Sequence, residues 1–272
     1  MPDASDASFE IDRRRVRDQL AAAVKEAGVL ALKTFGGELK SWIKGKSSPV
    51  SEADLAVDAL LRERLLAIHD AGWLSEETED DPARLGHAEI WAVDPIDGTR
   101  GYLAGSSDWT VSAALVSNGR PVVAALYAPV TDELFLAVAG QGATLNDARI
   151  HASPGDDIAG RTFSGPKRRL DVLAALEPRI QAVPRISSLA LRLARVAAGI
   201  LDGSLAGPNS HDWDLAAADL LVHEAGGALT DMAGEVLIYN RPDPVHQATL
   251  AAGRARHAVL LELVRDRFAE FA

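Results

Sequence analysis

The chain has 272 residues, enough for one large domain or two closely packed halves, and long enough to bury about three quarters of its unfolded surface. With 47% hydrophobic and 25% charged residues it has a globular composition, which excludes wholesale disorder. A net charge of -11 argues against a nucleic-acid polymer or an anionic membrane surface as partner, and the lack of cysteine excludes disulfides, thiolate metal sites and cysteine nucleophiles.

In chain order, Val16, Leu20, Val24, Ala27 and Ala31 recur at helical spacing and predict an amphipathic helix from Ile11 to about Leu32, ending near Gly36-Gly37. A turn at Pro49 and a second helix follow, its course marked by Leu55, Ala59, Leu60, Glu63 and Leu66, with Ser51, Glu52 and Asp54 suited to its N-terminus. After the acidic run "SEETEDD", residues Glu89 to Val93 read as a strand stopping at Asp94. Trp109 to Val116 and Pro121 to Tyr127 read as strands joined through Asn118-Gly119, and "ELFLAVAGQGATLN" continues the meander.

Residues 148–185 are richer in Pro, Gly and charge, so the expected division is into 1–150 and 151–272. Leu189 to Leu201 and "DWDLAAADLLVHEAGG" are helical, "ALTDM" and "EVLIYN" read as a last pair of strands, and a C-terminal helix begins near Arg256. An antiparallel first half with loosely alternating helices predicts layered sheets and helices, an α/β (α+β) protein. No apolar run approaches the roughly 20 residues of a membrane span, and the amino-terminal stretch has no apolar core of a signal peptide, so a soluble cytoplasmic protein is expected.

The chemistry concentrates in "WAVDPIDGTRGY". Pro95 stiffens this turn and Gly98 lets it reverse sharply, so Asp94, Asp97 and the Ile96 carbonyl can converge on one point, an oxygen site suited to Mg2+. An Asx turn is the alternative for these two acids. Glu76 and Glu77 read equally well as a solvated charge pair, and Asp214 as a helix N-cap.

Together, however, these segments resemble a known family. "WAVDPIDGTRGY" and "WDLAAADLLVHEAGG" are similar to the two signatures of the inositol monophosphatase superfamily, "SEET" to its Glu-Glu element and "SSPVSEAD" to its upstream S-P-V-[TS]-x-A-D element. The resemblance implies an αβαβα layered sandwich with mixed and antiparallel sheets, a homodimer, and Mg2+-dependent, Li+-sensitive hydrolysis of a small phosphorylated metabolite. It also implies that Glu76, Asp94, Asp97, Asp214 and the Ile96 carbonyl hold two or three Mg2+ ions, with Glu77 supporting them. Thr99, Asp54 and Glu76 would activate the attacking water, and the Gly98 and Thr99 N–H groups, with Asp97 and Asp214 beside them, would bind substrate.

Within the superfamily "GWLSEETEDDPARL", "SSDWTVSAALVSNGRPVVAALYAPV" and "GPNSHDWD" resemble the bacterial 3'(2'),5'-bisphosphate nucleotidase branch more than the inositol monophosphatases proper, and Gly207-Pro208-Asn209 stands where the latter have an inositol-contacting acid. Arg100, Lys167, Arg168, Arg169 and His211 are then candidate substrate contacts. Inositol-1-phosphatase or another sugar or histidinol phosphate phosphatase is the alternative, and a Mg2+- and phosphometabolite-binding sensor the non-enzyme one.

Overall fold

The computed structural model describes residues 4–37, 40–44, 48–267 and 270, and within these the side chains of 4–12, 44, 48 and 266 are left aside. Residues 1–3 of the amino-terminal stretch and Ser47 of "SSPVSEAD" lie outside the described residues.

Helix α1 (Ala4–Leu32) begins upstream of the expected Ile11 and buries Val16, Leu20, Val24, Ala27 and Ala31, as their spacing requires. A hairpin not expected from the sequence follows, β1 (Ser41–Lys44) against β2 (Ser48–Ser51), with Pro49 inside β2 rather than at a turn. A two-stranded ribbon tolerates a proline because a missing N–H can face outward. Helix α2 (Glu52–Ile68) is rotated from expectation, with Ala53, Asp54, Val57, Asp58, Leu61 and Leu65 buried and Leu55 43% exposed. Two carboxylates on the buried face disguised it as the polar one.

The first sheet runs β3 (Gly72–Ser75), β4 (Glu89–Asp97), β5 (Thr110–Ser117), β6 (Arg120–Ala128), β7 (Glu133–Val138), β8 (Gly142–Leu145) and β9 (Ala148–Arg149), in spatial as in chain order, with helix α3 (Thr99–Leu103) between β4 and β5. Its pairings are antiparallel except β3 with β4, which is parallel, in keeping with the mixed and antiparallel sheets expected. The acidic loop and a 3-10 turn at Pro82–Gly86 carry the chain back between these two strands. Asn118 and Gly119 both take positive φ, as the tight β5–β6 hairpin demands.

The rest of the chain supplies β10 (Thr162–Ser164), α4 (Lys167–Leu176), β11 (Gln181–Ala182), α5 (Leu189–Ala197), β12 (Gly203–Ala206), β13 (Ser210–His211), α6 (Asp212–Glu224), β14 (Gly227–Asp231), β15 (Val245–His246), β16 (Thr249–Gly253) and α7 (Arg254–Val264). The second sheet is mixed, in the order β11-β10-β12-β16-β14, while β13 and β15 form a separate pair. "EVLIYN" is not a strand, apart from one bridge between Val236 and Thr230. Its backbone turns to other partners: the Leu237 carbonyl accepts from Arg120, Tyr239 N–H donates to Gly119 and Asn240 N–H to Asp212. The partner of β14 is β16 instead, and α5 ends at Ala197, four residues short of expectation.

These elements stack in five layers, α1 and α2, the first sheet, α5 and α6, the second sheet, then α4 and α7. Strand β4 divides its side chains accordingly, Trp91, Val93 and Ile96 toward α1 and α2, Ile90 and Ala92 toward α5 and α6. A sheet covered on both faces explains why its strands are apolar throughout instead of alternating. The αβαβα sandwich is as expected. Among the described residues no helix is long and apolar enough to cross a membrane.

Candidate active site

Strand β4 runs three residues past its expected stop, and this extension carries the acids. In a regular strand Asp94 and Asp97 would face opposite sides, because side chains alternate with period two. The register prevents that: Asp94 pairs with Ser112 and Asp97 with Thr110, so three steps on β4 match two on β5. This bulge falls at Pro95-Ile96, where proline has no ladder N–H to lose, and the extra residue brings both carboxylates into one cavity.

The neighbouring parallel strand ends beside it. Glu76 N–H donates to the Val93 carbonyl at 3.2 Å, prolonging the β3–β4 ladder by one residue and placing Glu76 next to Asp94. Helix α6 brings Asp214, whose Oδ2 accepts from His211 N–H at 2.7 Å in a capping interaction. Carboxylate oxygens of Glu76, Asp94 and Asp214 lie within 4.8 Å of one another. Together with Asp97, Gly98, Thr99, Arg100, Pro49, Arg185 and Ser187 they line a cavity of about 350 Å³.

Capping and convergence prove compatible, since each aspartate has two oxygens. Asp94 Oδ1 accepts from Ile96 N–H at 3.0 Å, Asp97 Oδ2 from Ala190 N–H at 2.6 Å and from the Ser188 hydroxyl at 2.5 Å. Asp97 thereby sits at the N-terminus of α5, where the helix dipole favours a negative charge. Behind Thr99 and outside the cavity lining, Asp54 Oδ2 accepts from Ser51 N–H at 2.8 Å and Ser51 Oγ at 2.5 Å, leaving Oδ1 to Thr99 Oγ1 at 3.4 Å. The Thr99 hydroxyl also lies 3.1 Å from the Ile96 carbonyl, an alternative acceptor for its one proton.

Gathering these acids is electrostatically expensive. Burial first, then Asp214, Glu77, Asp97 and Asp54, push Glu76 up to about 8. Asp97 rises to about 6 through burial and Asp214, against the hydrogen bonds of Ser188, Ala190 and Leu189. Asp94 is held well above the carboxylate range by burial and by Glu76, Asp97, Asp214 and Asp54. Among the described residues no lysine or arginine forms an ion pair with Asp94, Asp97 or Asp214. An all-carboxylate cluster of this kind is a donor set for a hard divalent cation.

Gly98 is the hinge of this corner. Its φ of 97° is outside what side-chain-bearing residues ordinarily adopt, and a Cβ there would lie 2.8 Å from the Asp108 carbonyl. Gly98→Ala should therefore cost at least about 1–3 kcal/mol of stability, read as a lowered Tm in thermal unfolding.

The remaining expectations divide. Arg100 lines the cavity, whereas Lys167, Arg168 and Arg169 do not; Lys167 pairs with Asp171 on the exposed face of α4. His211 stacks on Trp213 at 4.4 Å, outside the cavity lining. Glu77 is half-buried beside Glu76 and also lies outside that lining. Arg185 and Ser187, which no pattern in the sequence marked, do line it.

The profile of the Inositol monophosphatase family matches residues 12–267. The chain belongs to the inositol monophosphatase family. It is 35% identical over 240 residues to inositol-1-monophosphatase of Rhizobium meliloti (strain 1021), covering 82% of this chain and 87% of that one. It is 36% identical over 201 residues to the Nus factor SuhB of Xylella fastidiosa, covering 70% and 72%. The crystal structure of extragenic suppressor protein SuhB from Bartonella henselae superposes with a TM-score of 0.81 at 30% identity, over 91% of this chain and 97% of the other. As a member of the inositol monophosphatase family, the protein is a metal-dependent phosphomonoesterase acting on small phosphorylated substrates.

Proposed function

We propose that this enzyme hydrolyses the phosphomonoester of a small polyol, inositol 1-phosphate foremost, at the Glu76-Asp94-Asp214 cluster. The convergence of those three carboxylates within 4.8 Å carries the reading, and the names of its relatives support the substrate. Glu76, Asp94, Asp97, Asp214 and the Ile96 carbonyl are the groups to hold two or three Mg2+ ions, with Glu77 in support. Bound there, the cations supply charge neutralisation and a nucleophile near neutral pH.

The protein's own groups account for the remaining steps. The Gly98 and Thr99 N–H groups open α3 and face phosphate oxygens, adding positive potential without another side-chain charge. Asp54, fixed through Oδ2, keeps Oδ1 for Thr99, and burial raises its proton affinity. Thr99 donates its single hydroxyl proton toward Asp54 and accepts from the attacking water through a lone pair, with Glu76 on the water's other side. Thr99→Val should lower kcat about 100-fold or more at saturating Mg2+, with KM changed little.

A second reading is removal of the 3'-phosphate from adenosine 3',5'-bisphosphate, favoured by Arg100 and Arg185 in the cavity wall, which suit a second phosphate. The two halves, 1–150 and 151–272, both contribute to the site in either case. We further take the enzyme to act in the cytoplasm as a homodimer; the assembly rests on the family resemblance and is tested by sedimentation. Phosphate release with Mg2+ from a panel of inositol 1-phosphate, adenosine 3',5'-bisphosphate, histidinol phosphate and fructose 1,6-bisphosphate decides the substrate. Release from none of them would defeat both readings, and tight calorimetric binding without turnover would point to a sensor.

A further inference from the structure

Asp58 has no place in the chemistry above, yet it is buried at 8% exposure on the face of α2 that also carries Asp54. Like charges four residues apart on one helix face destabilise a helix by a few tenths of a kcal/mol, so the pair needs partners. Asp54 finds them in Ser51 and Thr99. Asp58 finds its partners on both sides of Glu76.

Its Oδ1 accepts from Ser75 Oγ at 2.5 Å and its Oδ2 from Thr78 Oγ1 at 2.8 Å. Ser75 Oγ in turn accepts from Glu77 N–H at 3.3 Å, and Thr78 Oγ1 accepts from Trp73 Nε1 at 3.3 Å. Glu76 is thus bracketed by residues tied to one carboxylate, just past the end of β3, in addition to its own backbone bond to Val93. We propose that Asp58 is a positioning residue, fixing the 75–78 turn so that the Glu76 side chain stays directed at Asp94 and Asp214. Its effect is on cation affinity: with the turn released, Glu76 reorients away from two acids that repel it, and a cation must first recover that arrangement. One helix then governs both ends of the site, Asp54 through Thr99 and Asp58 through Glu76.

The inference rests on the reading of Glu76 as a metal-holding group, and the test separates the two. Mg2+ is titrated into the purified full-length protein by calorimetry, alongside the Mg2+ dependence of phosphate release. Asp58→Ala should raise the Mg2+ dissociation constant about 10- to 100-fold, the range for losing a partner that orients a ligand, with kcat at saturating Mg2+ within a few-fold of the parent. Asp58→Asn, which still accepts from Ser75 and can donate to Thr78, should recover part of the loss. Ser75→Ala and Thr78→Val remove the two bonds one at a time and should each give a smaller rise in the same direction, which keeps the test available should Asp58→Ala fail to fold. A lowered Tm with unchanged Mg2+ affinity in the folded variants would overturn the positioning role alone. Absence of Mg2+ binding by the parent protein would overturn the metal reading and this inference with it.

Discussion

Asp94→Asn should reduce phosphatase activity by more than about 100-fold at saturating Mg2+ and, in metal-free protein, raise the Tm. The first half follows from position: losing a group that only supports a ligand costs up to about 100-fold, and Asp94 belongs to the three-carboxylate cluster itself. The second half follows from charge. Asp94 is 1% exposed and faces Glu76, Asp97, Asp214 and Asp54, so ionising it is opposed by burial and by each of these acids. Asparagine keeps the oxygen that accepts from Ile96 N–H and so preserves the turn while removing the repulsion. Activity on the preferred phosphomonoester and thermal unfolding in the presence of EDTA measure the two effects. Unchanged activity would remove Asp94 from the site, and an unchanged or lower metal-free Tm would show that the acids do not strain the fold.

Thermal stability of the metal-free enzyme should fall as pH rises, and added Mg2+ should reverse the fall. Glu76 and Asp97 have ordinary values of 4.5 and 3.8 when unfolded but stand at about 8 and about 6 in the fold. Groups raised on folding bind protons more tightly in the native state, so their contribution is complete below about pH 4 and is lost as pH climbs through 6 and then 8. Over about pH 5 to 8.5 the Tm in EDTA therefore declines. Cation binding needs the deprotonated acids, so the stabilisation by Mg2+ grows over the same window, reaching about 2.7 kcal/mol at 100 times its dissociation constant. Differential scanning calorimetry across this range provides the check. A pH-independent gain from Mg2+ would mean that the cation binds elsewhere.

How far the sequence foretold this site depends on how local each signal was. Asp94, Asp97 and Gly98 share one turn whose proline and glycine advertise an unusual backbone, and Asp214 stands at a helix start, so turn and cap chemistry exposed them. Local chemistry was also incomplete there: it read a strand ending at Asp94, while the bulge that aligns both acids exists only in the register with β5. Asp58 was invisible because its partners lie 17 and 20 residues away and its helix offers a second apolar stripe through Leu55. Arg185 belongs to a segment with no periodicity and reaches the cavity by tertiary placement alone. The short strands β10, β12 and β16 left no alternating pattern, and "EVLIYN", an apolar run that reads as a strand, spends its backbone on partners outside the sheet.

The middle helix layer has a consequence for how the chain divides. Helix α6 is buried from Leu215 to Val222 and belongs to a core that includes Ala92 and Ala114 of the first sheet as well as Leu229 and Ala251 of the second. The change of sheet near residue 150 is thus no perforation line. A fragment ending there would leave one face of the first sheet bare, and the complementary fragment would carry α6 with its apolar side open to water. Each piece lacks apolar surface that covers the other, so fragments cut near residue 150 are expected not to fold separately.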